Sequence, residues 1–206
     1  MLFRSAFEEL NVRGAYHDLL DPEPGYTPDA QIELVSFALR HYHNSSQARI
    51  ERFSPVNMIS LSPMDGLFLA PSWKLNVGMN TIAYRGCQLC SNGNLNGGLG
   101  GAAESHVLGR ELWFAFAEAD ANVSGAYEEH HRIGGGGTLG VLADLTDRWK
   151  LMASGSYLRY ALGDKSEDIR WSVGQRFSLF SNLTIRVEYN HRSHDNDVLA
   201  TLHLYF

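Results

Sequence analysis

The chain has 206 residues, of which 44% are hydrophobic and only 19% charged, and its formal net charge is -6. A nucleic-acid partner needs a basic footprint, and no cluster of Lys or Arg occurs, so that class is set aside. No run of about 18 apolar residues exists, which excludes a transmembrane helix. The N-terminal MLFRSAFEEL carries Glu8 and Glu9 where a secretion signal has its apolar core. The mean hydropathy of -0.22 does not decide on membrane residence, because a transmembrane barrel shows only alternating segments of about 10 residues. The length suits a single domain spanning 1–206.

Alternating runs broken by Gly, Pro, Asn, Asp and Ser predict eleven strands. The first three lie at 6–20, 30–43 and 47–61. In 72–84, Trp73, Leu75, Val77 and Met79 alternate with Lys74, Asn76, Gly78 and Asn80. Strands at 97–108, 111–127, 134–145 and 149–161 follow, with the segments GCQLCSNGNLNGG, LGRE, EEHHRIGGG and DLTD read as the connections around them. In 167–179, Trp171, Val173, Phe177 and Leu179 oppose Arg170, Ser172, Gly174, Arg176 and Ser178; in 183–191, Leu183, Ile185, Val187 and Tyr189 oppose Thr184, Arg186, Glu188 and Asn190. The last strand, 197–206, puts Val198, Ala200, Leu202, Leu204 and Phe206 on one face and Leu199, Thr201, His203 and Tyr205 on the other.

Many of these runs exceed the 5 to 6 residues usual in soluble sheets and match the roughly 9 to 11 that a tilted strand needs to cross a bilayer. The expected fold is therefore all-β, an antiparallel transmembrane-type β-barrel. Parity alone does not tell inside from outside. If the apolar set faces lipid, Lys74, Glu118, Asp120, Lys150, Arg176, Arg186 and Glu188 line the lumen and pair there, since buried charges need partners. A soluble ligand-binding barrel would turn the apolar faces inward, and a narrow pore would leave the lumen open. Turn lengths are expected to be short on the side where the last strand ends and mostly longer on the other, except that DPEPGYTPD and SPMDGLFLAPS fall on the short-turn side and are not short. Bacterial barrels close with an even strand count, so eleven predicts a missing first strand, twelve in the complete protein, and with it a missing export signal.

Cys87 and Cys90 form C-x-x-C and are the only cysteines. The pair supplies half of a zinc site, which needs four ligands and which His130 and His131 would complete; the preferred reading is a small disulfide, as an oxidising compartment allows. The run GGGG at 134–137 lacks the Lys-Ser/Thr and the helix of a phosphate loop and is expected to be a flexible entrance to its strand. His191 and Ser193 give an H-x-S pair at a strand end, with Glu188 or Asp195 available to orient the histidine. This pair resembles that of outer-membrane lipid A deacylases, although those enzymes follow the serine with Asn-Ala where His194 and Asp195 stand here. No metal and no cofactor are expected.

The order AYHDLLDPEPGYTPDAQIE, SLSP, PSWKL, GCQLC, GNLNGGLG, DRWKL, GQRFSLFSNLTIRVEY and terminal HLYF resembles the C-terminal β-barrel domain of Lnb-like periplasmic-domain proteins of Gram-negative bacteria. That resemblance, covering about Tyr16 to Phe206, implies outer-membrane residence, a preceding barrel strand and an upstream periplasmic domain. It implies a membrane anchor with no chemistry of its own, with outer-membrane lipid and the barrel assembly machinery as partners. On this reading Tyr205 and Phe206 are the assembly signal. A lipid hydrolase built on His191 and Ser193 is the alternative from another class.

Overall fold

The computed structural model describes residues 6–204 except 22–26, 44–46, 65–69, 181 and 193–194. Eleven strands make one antiparallel sheet, each paired with its sequence neighbours. They are β1 (Phe7–His17), β2 (Ala30–Tyr42), β3 (Gln47–Ser60), β4 (Ser72–Tyr84), β5 (Cys87–Ser105), β6 (Arg110–Val123), β7 (His131–Thr146), β8 (Trp149–Gly163), β9 (Ser166–Phe180), β10 (Leu183–Arg192) and β11 (Asp195–Leu204). No helix among the described residues is long and apolar enough to cross a membrane. The end at which β1 and β11 finish is called lower, the opposite end upper.

The sheet curls into an incompletely closed barrel. Among the described residues β1 and β11 do not pair in the sheet, but they face each other across a seam, where Arg40 of β2 reaches Asp197 of β11 at 3.6 Å. A cleft of about 770 Å³ runs along the seam between residues 6–11 and 196–202.

Parity resolves into two surfaces of opposite character. Outward stand Leu10, Trp73, Leu75, Leu99, Trp113, Leu139, Trp149, Val173, Phe177, Ile185, Val198 and Leu202, all exposed. Inward stand Glu33, Arg40, Glu118, Asp120, Arg132, Lys150 and Arg176, all buried. The apolar faces of β4, β9, β10 and β11 thus point away from the lumen, the reverse of what a soluble ligand-binding barrel requires.

Four sequence expectations are corrected. The segment GCQLCSNGNLNGG is not a loop: the β4–β5 turn is only Arg85–Gly86, both with positive φ (45° and 85°), as a two-residue type I′ hairpin demands. The asparagines that read as turn formers point into the lumen, where the Asn92 amide donates to Asn80 at 3.1 Å and to Asn122 at 2.9 Å. The GGGG run is likewise no entrance but part of β7, paired on both sides. At Gly136 any Cβ would overlap the Tyr157 carbonyl oxygen of β8, so glycine there lets adjacent strands bend tightly together. The upper loops are also shorter than expected. The upper connections at 85–86, 164–165 and 193–194 span two residues each, no more than the tight lower ones at 147–148 and 181–182, while 18–29 and 61–71 are the long lower connections that the sequence marks.

The first strand stops at His17 rather than continuing to residue 20, and the chain dives into the lumen. Leu19, Leu20 and Leu61 pack there against Ala102, Leu112, Phe114, Phe116 and Leu142, filling the lower end with an apolar core. β6 therefore carries apolar residues on its inner face at the bottom and charged ones higher up.

Candidate functional site

The interior is organised in tiers. At the bottom, Lys150 of β8, Arg176 of β9 and Arg186 of β10 stand opposite one another in register, three cations on adjacent strands. Such a row is tolerable in a low-dielectric interior only with counter-charge. Asp18 supplies it at 2.6 Å from Arg186, Glu188 at 2.9 Å from the same guanidinium, and Asp144 at 3.4 Å from Lys150. The DLLD turn that carries Asp18 is locked by its own bonds: the Asp18 N–H donates to the Asp21 carboxylate at 3.0 Å, the Leu20 N–H to the Asp18 carboxylate at 3.1 Å, and the Asp21 N–H to the Asp18 carbonyl at 2.9 Å. Sequence reasoning missed this inserted turn. Its signal was two aspartates bracketing two leucines, which breaks alternation immediately after β1.

The middle tier centres on Glu118 and Asp120. Lys74 Nζ lies 2.6 Å from Glu118, which also accepts from the Thr138 hydroxyl and from Asn96 at 3.0 Å. Asn96 donates in addition to Asp120 at 3.0 Å, and the Tyr160 hydroxyl donates to Asp120 at 2.7 Å. Alternation along β6 is what puts both carboxylates on the inner face.

Near the top, the Arg132 guanidinium stacks 4.0 Å from the Tyr160 ring and 4.8 Å from that of Tyr127, and lies 3.4 Å from Asp168, which Arg170 holds at 2.6 Å. Tyr127 sits in the loop between β6 and β7 and donates to Asn92 at 2.9 Å. Burial pushes its phenol up to about 12, against the opposing charge of Arg132. A cavity of about 240 Å³ opens beneath this rim, lined by Arg52, Thr81, Asn92, Arg132 and Arg170 among others. At the seam, Arg40 pairs with Glu9 at 2.6 Å and Glu51 at 3.5 Å.

All seven residues assigned to the lumen from sequence, Lys74, Glu118, Asp120, Lys150, Arg176, Arg186 and Glu188, stand on the inner face of their strands. Cys87 and Cys90 are bridged, at the start of β5 rather than in a loop, and as a disulfide they offer no thiolate to a metal.

Of the H-x-S constellation, His191 and Glu188 lie among the described residues, and they do not meet. His191 is half-buried on the outer face, stacked on Trp171 with ring centroids 5.5 Å apart, and its Nδ1 bonds to Asn196. Glu188, an odd number of residues away, stands on the inner face against Arg186, so it does not orient His191. Ser193 lies outside the described residues, as do Tyr205 and Phe206.

The carboxylates of the network are committed to guanidinium, ammonium, hydroxyl and amide groups. That arrangement cross-links a barrel wall from within, and it leaves an outer surface rich in exposed apolar side chains. Fold and interior together define the class: an antiparallel meander barrel with an apolar exterior and an ion-paired, partly plugged interior. The chain belongs to the family described as Domain of unknown function (DUF7840), whose model matches residues 4–205. No curated protein matches it.

Proposed function

We propose that the chain is a membrane-embedded β-barrel, acting as an outer-membrane anchor and scaffold with no chemistry of its own. The observation that carries this reading is the outer surface: large exposed apolar side chains recur on strand after strand while the charges face inward. In water such a belt is costly, since burying apolar area gains about 25 cal/mol per Å². In hydrocarbon it is the stable arrangement. Strand dimensions agree, because 15 residues rise about 50 Å and, tilted by about 40°, cover roughly 38 Å along the membrane normal. Trp73, Trp113 and Trp149 are exposed near the lower ends of β4, β6 and β8, and Trp171 stacks with Tyr189 and His191 nearer the top. Two aromatic levels of this kind suit the two interfaces of a bilayer.

On this reading the lumen is a plug rather than a pore, held by the ion pairs and by the Leu19–Leu20 insertion. The lower end faces the periplasm, and the partners are outer-membrane lipid, the barrel assembly machinery and a periplasmic domain upstream. A further strand supplied by preceding chain would pair in the seam and bring the count to twelve. The order of sequence motifs supports the narrower assignment to Lnb-like periplasmic-domain proteins.

The test is fractionation of the full-length protein with a carbonate wash, followed by detection of this region. Retention in the outer-membrane fraction is expected. Release into the aqueous fraction would overturn the reading.

A further inference from the structure

The upper end of the β1–β2 hairpin carries a cluster that the barrel wall does not use. Glu8 of β1 stands directly opposite His41 of β2 in the ladder. The His43 N–H donates to the Ala6 carbonyl at 3.0 Å, which extends the ladder past the end of β2. His41 and His43 are two positions apart in extended chain, so both side chains leave the same face. Between and beside them Arg40 and Tyr42 are buried in the interior, which puts the two imidazoles and Glu8 on the outer surface, above exposed Leu10 and Val12.

One donor atom from each of the three lies within 4.8 Å of the others. Glu8 Oε1 is 3.7 Å from His43 Nε2, and the two imidazole rings meet edge to face at 5.5 Å. Bonds of about 2.1 Å to a tetrahedral cation place donors about 3.4 Å apart, which side chains on an open surface reach by small rotations about χ1 and χ2.

We propose that Glu8, His41 and His43 form a surface site for a divalent transition-metal ion of the imidazole-preferring kind, such as Zn²⁺. Two neutral imidazoles and one carboxylate are a donor set suited to zinc, and three protein ligands leave a fourth position open to water or an exogenous ligand. Ligands come from both strands of the hairpin, so the ion ties β1 to β2 at the margin of the seam cleft, which Phe7, Glu8 and Glu9 also line. Metal binding at that point stabilises the one edge strand that has a single partner in the sheet on this side of the seam.

The proposal is tested on the full chain folded in detergent and stripped with chelator. Zn²⁺ is titrated calorimetrically, and Co²⁺ is titrated by its visible absorption. One saturating equivalent is expected, with a rise in melting temperature. The double variant His41→Ala/His43→Ala is expected to lose both, and Glu8→Gln to weaken binding by more than the roughly tenfold that an outer-shell loss costs. His130→Ala/His131→Ala, altering exposed histidines outside the cluster, is expected to bind as the parent does. Binding that survives the double variant, that disappears instead with His130 and His131, or that is not saturable would overturn the assignment. Should the double variant not fold, as judged by heat-modifiable migration, Glu8→Gln decides: parental affinity there refutes the site.

Discussion

Leu139 offers the sharpest test of which solvent surrounds the barrel. It lies midway between His131 and Thr146 on β7, is 70% exposed on the outer face, and is flanked in register by Ala115 and Gly155. On a water-exposed surface Leu139→Arg changes stability by no more than about 0.5 kcal/mol, because no packing is lost. At the midplane of a bilayer the same change costs about 2 to 4 kcal/mol, or roughly 30- to 700-fold in the folding equilibrium at 1.4 kcal/mol per tenfold. Leu162, 61% exposed and next to the upper end of β8, provides the control, since Arg near an interface costs only about 0 to 1 kcal/mol. The assay is reversible denaturant unfolding in lipid vesicles followed by tryptophan fluorescence. A depth-dependent difference between the two variants is expected. Equal effects, or a Leu139→Arg change within about 0.5 kcal/mol, would refute the lipid-facing assignment.

Lys74→Ala strands the Glu118 carboxylate, whose side chain is 2% exposed, and is expected to destabilise the fold by about 3 kcal/mol, whereas pairing it with Glu118→Gln recovers part of that loss; a double-mutant cycle in denaturant measures the coupling. Gly136→Ala forces a methyl group into the Tyr157 carbonyl and is expected to cost about 1 to 3 kcal/mol, read as a lower unfolding midpoint, while Gly125→Ala, with open space around it, is not. Tyr127 has a folded pKa raised by burial to about 12, above the ordinary value near 10, so its contribution is fully present below about pH 10 and is lost as pH rises towards 12. Tyr127→Phe is expected to flatten that part of the stability profile relative to the parent, and an identical profile would count against the buried assignment.

Strand existence was legible because period-2 alternation is a local property, written plainly at Trp73–Asn80 and Leu183–Asn190. The side of each strand that faces lumen was not, because parity is symmetric and only the curvature of the whole sheet breaks the symmetry. Connections were misread for a related reason. Asn92, Asn94 and Asn96 carry a turn signature in soluble sheets, but a polar barrel interior uses the same amides as cross-strand hydrogen-bond partners, and Gly134–Gly137 serve close strand approach instead of flexibility. The DLLD insertion depends on contacts more than 100 residues away in sequence, Asp18 with Arg186 above all, and no local pattern encodes such a partner. Parity also argues against Glu188 as an orienter of His191, a point available from the sequence, since residues three apart on a strand face opposite ways.

The interior and the exterior answer one physical problem. On the proposed membrane reading, an apolar outer wall gains nothing from association with itself in hydrocarbon, so ties inside the barrel add what the outer face does not to the twist of the sheet. Ion pairs supply those ties here with unusual reach. Arg186 ties β10 to the turn after β1, Arg40 ties β2 to β11 over the seam, and Arg110 of β6 clasps Asp29 at the foot of β2, across the lumen. Each of these joins elements that are not neighbours in the sheet, which backbone ladders cannot do. Charge concentrated in the lumen is thus no evidence of a conduction path: spent on such ties, and backed at the lower end by Leu19 and Leu20, it adds to the curvature that lets β1 and β11 approach.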